Sequence, residues 1–246
     1  MFWNFQNKAN EKEPEDIELR IEGEIVDDEF AWLYEWSGIK NIAPNKFKDE
    51  LAQFKGKPLT VWIDSIGGSV FAAAGIYNAL MEHNGKVTVK IDGKALSAAS
   101  VIAMAGEEIL MSPVSLMMIH NPLTYVEGDM HELRQAANVL DEVKEAIINA
   151  YEIKTNKSRA KLKEMMDAET WLSARSAIKD GFADAMLYDD EEVRNYTPVA
   201  FNRLVVQNSA AASMKKLFEI NKPEETKPEV KPDNSEREKL LLELEL

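Results

Sequence analysis

The segment that most restricts the fold spans residues 59–120, where apolar runs, glycine turns and helical patterns follow one another in a fixed order. LTVWID, residues 59–64, reads as a strand feeding a sharp turn at SIGGS. From Ser69 the segment SVFAAAGIYNALMEHNG has a helical pattern that stops at Gly85, and residues 87–91 give the next strand. A second turn, residues 94–97, leads into a run of small residues opening at Ala95 that reads as a tightly packed helix. Residues 108–111 and 115–119 follow as short buried strands, the second closed by His120. Strand, glycine turn, helix, strand, turn, helix implies βαβ units with right-handed crossovers and a mainly parallel sheet. In such α/β sheets the turns at the carboxyl ends of the strands lie together at one edge and build sites. Residues 66–69 and 94–97 are both turns of this kind.

The flanking sequence extends the same domain. Ile17, Leu19, Ile21 and Ile25 fall largely on alternate positions, as in a half-buried strand. Asp27 and Asp28 are placed to cap a short helix through Trp36, and residues 44–54 read as an amphipathic helix ended near Gly56. Past Asn121 and Pro122 comes a loop, then a long helix over residues 129–152 whose apolar face is Leu133, Ala137, Leu140, Val143, Ile147 and Tyr151. Ser158 caps a further helix, residues 173–179 form one more, and residues 182–187 read as a last strand. The expected organisation is therefore an extension over residues 1–15, one α/β domain over 16–190, a peripheral segment over 191–220 and a charged tail over 221–246. The tail segment NKPEETKPEVKPDNSER has almost nothing to bury and is expected to be disordered; LLLELEL at the end is apolar enough for a small docking peptide.

Composition excludes several function classes. The absence of cysteine removes a thiol nucleophile, a thiolate metal site and disulfides, and makes the cytoplasm the default compartment. A net charge of -14 with no clustered Lys and Arg argues against nucleic acid as a partner. No apolar run is long enough to span a bilayer, and the N-terminus lacks the pattern of a signal peptide, so no membrane is expected. No metal-ligand spacing such as His-Glu-x-x-His occurs, and no cofactor-binding fingerprint follows the glycine pair, so neither metal nor cofactor is expected.

The remaining chemistry lies between Gly93 and His120. A serine hydroxyl becomes a useful nucleophile when an imidazole within hydrogen-bond reach removes its proton. Of the three histidines, His83 lies in a polar helix end and His131 on an exposed helical face, while His120 alone follows an apolar strand that holds its ring. Two serines compete. Ser97 is expected in the first turn of its helix, where free N–H groups favour developing negative charge, and Ser100 almost a turn further in, where a hydroxyl bonds back to a helical carbonyl. Ser97 is the preferred nucleophile. Gly67 and Gly68 form a backbone without side chains, able to approach a ligand and aim N–H groups at an oxyanion. An acid to orient the histidine has two candidates in MMDAETWLSA, Asp167 and Glu169, and their positions at the break between two helices do not choose between them.

Together these segments resemble the Clp-type serine peptidases of the crotonase-like superfamily over residues 17–187. IDSIGGSVFAAAGIYNAL resembles that family's Asn-Ser-Pro-Gly-Gly turn and following helix, GKALSAASVIAMAG its nucleophile segment, SLMMIHNP its Met-Ile-His-Gln-Pro strand end, and ETWLSARSAIKDGFADAML the region of its triad acid. The resemblance implies the β-β-α spiral fold of the ClpP/crotonase-like group, with Ser97 as nucleophile, His120 as general base, and the N–H groups of Gly68 and Ala98 as the oxyanion hole. It places the acid two residues before Trp171, at Glu169, where the family carries aspartate, so the triad becomes Ser-His-Glu unless Asp167 takes the part. Ile66 and Ala99 also replace the family's proline and glycine.

The resemblance further implies protein or peptide substrates and a homo-oligomeric ring with the helix over 129–152 as subunit contact. The Glu-Thr-Trp segment, the acidic chain and the charged extension point towards the head maturation proteases of tailed phages, whose substrates are scaffold and major capsid precursor proteins. A housekeeping peptidase fed by a separate AAA+ unfoldase is the alternative within the class. Outside it stand a crotonase-type acyl-CoA enzyme, which shares the two-N–H oxyanion hole but needs no Ser-His pair, and an inactive capsid-assembly protein.

Overall fold

Alternating apolar residues on neighbouring strands are brought into register, and this decides where the core lies. The computed structural model describes residues 6–7 and 17–188. The expected segments over 191–220 and 221–246, and nearly all of 1–15, lie outside the described residues. The strands are β1 (Gln6–Asn7), β2 (Ile17–Ile25), β3 (Asn41–Ile42), β4 (Leu59–Gly68), β5 (Val87–Leu96), β6 (Glu108–Met111), β7 (Leu116–Ile119), β8 (Thr170–Ser173) and β9 (Ala185–Met186). The helices are α1 (Ala31–Trp36), α2 (Pro44–Leu51), α3 (Val70–Met81), α4 (Ala98–Ala103), α5 (Met130–Thr155), α6 (Arg159–Asp167) and α7 (Ala174–Lys179).

Strands β2, β4, β5, β6 and β9 pair in parallel, with β1 antiparallel at the edge. Leu19, Val61, Val89 and Ile109 form one row across the sheet, and Ile21, Ile63, Ile91 and Met111 the next. Every member of both rows is 0% exposed. Burying a side chain of this size contributes about 1.5–3 kcal/mol, so these rows rank among the largest favourable terms in the fold. The intervening row is polar: Arg20, Trp62 and Lys90 lie side by side, with both cations over the indole ring at 5.5 and 5.1 Å from its centroid. A slip of one residue would exchange the two faces, so this alternation fixes the register.

Helix α3 buries Ala72, Ala73, Ile76 and Leu80, and α4 is buried along its whole length. The small side chains Ala98, Ala99, Ser100 and Ala103 let α4 sit deep in the core, beside α3 and β4. This is the mainly parallel α/β arrangement expected from the sequence, in a single domain over the described residues.

Several local expectations are corrected. Asp27 and Asp28 do not cap α1: a turn from Asp27 to Phe30 intervenes, and the carboxylates accept from the Ser69 hydroxyl at 2.8 Å and the Asn45 N–H at 2.9 Å. The predicted strand over 87–91 continues to Leu96, where its last residues pair with β7 instead of β6. The predicted strand over 182–187 shrinks to Ala185–Met186, because Phe182 and Ala183 turn their N–H groups back onto the Ala177 carbonyl at the end of α7. Strand β8 was not anticipated; it pairs antiparallel with β7. Of the predicted apolar face of α5, only its C-terminal half is buried, through Ile147 and Tyr151 with Ile148 and Ala150.

Candidate active site

The site forms where β4, β5 and β7 end. At the end of β4, Gly67 has φ 92 and Gly68 φ 145, in the half of backbone space that favours glycine. A Cβ on Gly68 would stand 2.0 Å from the Ile25 carbonyl oxygen, and one on Gly67 would stand 2.8 Å from Ser97 Cβ. The turn is therefore glycine both for its dihedral angles and for its packing against the neighbouring strand end. Ser65 holds it from within, accepting from the Gly67 N–H at 3.1 Å and donating to the Gly23 carbonyl at 2.6 Å. Ser69 then caps α3, accepting from the Ala72 N–H at 3.2 Å.

Strand β5 ends at Leu96, and Ser97 is the single residue between it and α4. Ser97 is the N-cap of α4 and not part of its first turn, with φ 54 and ψ -125. A serine in this region is strained by about 1–3 kcal/mol and persists only where its surroundings fix it. The Ser97 N–H donates to the Met118 carbonyl on β7 at 2.9 Å. Ala98 opens α4, so its N–H has no partner within that helix. The sharp strand–serine–helix turn is the geometry of a nucleophile elbow, which lifts the hydroxyl out of the backbone ladder.

His120 directly follows β7, and its Nε2 lies 2.7 Å from Ser97 Oγ. Burial lowers the His120 pKa below the ordinary histidine value and the nearby Glu169 carboxylate opposes that shift, so burial prevails. The ring is thereby kept neutral at neutral pH, the form that accepts a proton from serine.

The two acids part company. The β7–β8 register ends with Ile119 against Thr170, His120 follows the one strand and Glu169 precedes the other, and the Glu169 charge acts on the His120 ring. Glu169 is held at φ 50, and its Oε1 accepts from the Trp171 indole N–H at 3.2 Å. Asp167 instead accepts from Lys144 Nζ at 2.5 Å and from Asn121 Nδ2 at 2.9 Å. Lys144, then Asn121, holds its carboxyl below the usual aspartate range. The structure therefore brings Ser97, His120 and the glycine turn into contact, places Glu169 where its charge acts on His120 while its carboxylate accepts from Trp171, and ties Asp167 to a lysine on α5.

Ser100 is fully buried, and its hydroxyl donates to the Ser97 carbonyl at 2.6 Å, the back-bonding expected of it. His83 Nε2 lies 2.7 Å from the Lys57 carbonyl oxygen at an exposed position, and His131 is exposed near the start of α5. Tyr151, read in the sequence only as one apolar position on a long helix, has its Oη 2.8 Å from Ser100 Oγ. Its phenol was the one polar signal among those positions. A cleft of about 420 Å³ adjoins the site, walled by Val70 and Phe71 after the glycine turn, Pro122 and Leu123 after His120, and Val139 and Leu140 on α5.

The Clp protease family matches this chain over residues 50–190, which takes in the glycine turn, the serine elbow, His120 and Glu169. The chain belongs to the Clp protease family. Among its Clp relatives, the ATP-dependent Clp protease proteolytic subunit of Porphyromonas gingivalis is 31% identical over 134 residues, 54% of this chain and 60% of that protein. The corresponding subunit of Bacteroides fragilis is 30% identical over 134 residues, 54% of this chain and 65% of that protein. Proteolytic subunit 1 of Protochlamydia amoebophila is 27% identical over 144 residues, 57% of this chain and 70% of that protein. The shared stretch thus spans 60% of the length of the Porphyromonas subunit.

Proposed function

We propose that this chain is a serine endopeptidase of the Clp type, with Ser97, His120 and Glu169 as its triad and the N–H groups of Gly68 and Ala98 as its oxyanion hole. The observation that carries the proposal is the 2.7 Å contact between Ser97 Oγ and His120 Nε2 at the strained strand–helix elbow. His120 takes the hydroxyl proton as Ser97 Oγ attacks the peptide carbonyl. The resulting oxyanion faces the two N–H groups, and His120 returns the proton to the leaving amine. Water then hydrolyses the acyl-enzyme by the same route in reverse. Glu169 favours the imidazolium that forms at each step, with one methylene more than aspartate to place. Preorganised donors in an oxyanion hole each contribute about 10²–10³ in rate, and a positioned general base about 10²–10⁴.

An extended substrate chain, adding as a strand beside the site, suits backbone recognition with limited side-chain selectivity. The Ser97–His120 pair favours acyl transfer from a peptide to serine and then to water over thioester chemistry at a crotonase-type site, which has no use for the pair. For the biological setting, the Glu-Thr-Trp segment and acidic charged chain support cleavage of scaffold and capsid precursors during phage head maturation. Likeness to the proteolytic subunits of ATP-dependent Clp proteases supports a peptidase that works with a separate ATP-dependent unfoldase. Incubating the purified chain with a capsid precursor, and separately with a host AAA+ unfoldase, ATP and an unfolded substrate, distinguishes the two settings. The chemistry itself is tested by Ser97→Ala, which abolishes cleavage of a fluorogenic peptide; full retained cleavage contradicts it.

A further inference from the structure

Behind the nucleophile, a chain of two buried hydroxyls ends on its carbonyl. The Ser97 carbonyl accepts twice from Ser100, from the N–H at 2.9 Å and from the hydroxyl at 2.6 Å. Ser100 Oγ in turn lies 2.8 Å from Tyr151 Oη. Ser100 is 0% and Tyr151 1% exposed, so water does not compete for these bonds. The direction of the chain is fixed by counting protons. A carbonyl only accepts, so the single Ser100 hydroxyl proton is committed to Ser97, and the Tyr151 phenol must donate to Ser100 Oγ. Burial pushes the Tyr151 phenol up, which keeps that donor protonated. The phenol ring meets Phe182 edge-on, with centroids 5.6 Å apart.

The Ser97 carbonyl and the Ala98 N–H belong to one planar peptide unit and point in opposite directions. Holding the carbonyl on Ser100 therefore aims the Ala98 N–H the other way, and stabilises the unusual dihedral angles that present Ser97 Oγ to His120. We propose that Ser100 and Tyr151 are positioning residues, a relay from Tyr151 O–H through Ser100 O–H to the Ser97 carbonyl that orients the Ala98 N–H for the oxyanion. This rests on the reading of Ser97 as nucleophile. The relay explains a buried serine that is not itself the nucleophile and a buried phenol on a helix that contributes no group to the chemistry.

The test uses the full chain and a fluorogenic peptide, with Ser97→Ala, Ser100→Ala, Tyr151→Phe and the double variant Ser100→Ala/Tyr151→Phe. A misaimed oxyanion donor weakens transition-state binding more than substrate binding, so Ser100→Ala lowers kcat about tenfold or more with KM within about twofold. Affinity for a peptide boronate falls in parallel with kcat/KM, while the acid limb of the pH profile stays in place because His120 is untouched. Tyr151→Phe lowers kcat less, and the double variant is no worse than Ser100→Ala, since a relay broken at Ser100 leaves Tyr151 nothing to support. A Ser100→Ala enzyme within about twofold of wild type in kcat, or a double variant whose losses multiply, overturns the relay. Should Ser100→Ala fail to fold, Tyr151→Phe decides alone, because it removes one oxygen and keeps the ring: reduced kcat at constant KM supports the relay and unchanged kcat overturns it. Retained cleavage by Ser97→Ala overturns the nucleophile assignment and the relay together. An inactive Ser97→Ala beside a fully active Ser100→Ala overturns the relay alone.

Discussion

At the residue scale, His120 is set by two opposed influences, burial lowering its pKa and Glu169 raising it. The proposed peptidase needs a neutral imidazole to begin, so its kcat/KM gains an acid limb below the ordinary histidine value of 6.5. Glu169→Gln removes the influence that favours the charged ring. The limb therefore moves to lower pH while the plateau rate falls; a limb that stays or moves up contradicts Glu169 as the partner acid. A second carboxyl, Glu24, is 3% exposed on β2, and its Oε1 is buried without a partner. Burial raises its pKa from 4.5 to about 7, against a hydrogen bond from Tyr34 that lowers it. Between those values the folded chain holds a proton that the unfolded chain has released, so stability falls as pH rises through this window and levels above it. Glu24→Gln removes that part of the slope, a stabilisation on the order of 3 kcal/mol at the top of the window. Denaturant midpoints from pH 4.5 to 8 measure it, and an unchanged slope contradicts the assignment.

At the element scale, the site is the meeting of two turns that close packing keeps together. Gly67→Ala places a Cβ 2.8 Å from Ser97 Cβ and 2.6 Å from the Leu96 carbonyl oxygen, in addition to the strain of φ 92. The elbow must move, and a displacement of about 1 Å at a reacting group costs about 10²-fold in rate. Peptidase assays on the folded variant should show that loss; wild-type activity would mean that the turn and the elbow move independently. Much of this arrangement was legible in the sequence. The apolar runs over 59–64 and 87–91 mark both central strands, and the helices read from Ser69, Ser158 and Ser173 begin there, each with that serine as its N-cap. What the sequence withheld is tertiary. Strand β8 is short and exists through its pairing with β7, and β5 outruns its apolar alternation because β7 supplies partners for its last residues. The positive φ of Ser97 carries no glycine to announce it, and Tyr151 reads as an apolar helix position until Ser100 is seen beside it.

At the scale of the whole molecule, the described residues leave one long apolar face unfilled. Met130 is 54%, Leu133 46% and Val139 49% exposed along the outer half of α5, beside Leu123 at 78% and Tyr125 at 85%. Contiguous exposed apolar surface is what an association surface presents. It suits the homo-oligomer that the resemblance implies, with α5 as subunit contact. Leu133→Glu or Val139→Glu should lower the mass in light scattering while leaving the far-UV spectrum unchanged; an unaltered mass removes α5 from the interface. The proposed chemistry rests on one elbow, with Ser97 made nucleophilic by His120. Its most direct test is labelling of the intact chain with a fluorophosphonate, followed by peptide mapping. The expected result is a single adduct on Ser97 that His120→Ala abolishes; an adduct on Ser100, or labelling of Ser97 that survives His120→Ala undiminished, contradicts Ser97 as the His120-activated nucleophile.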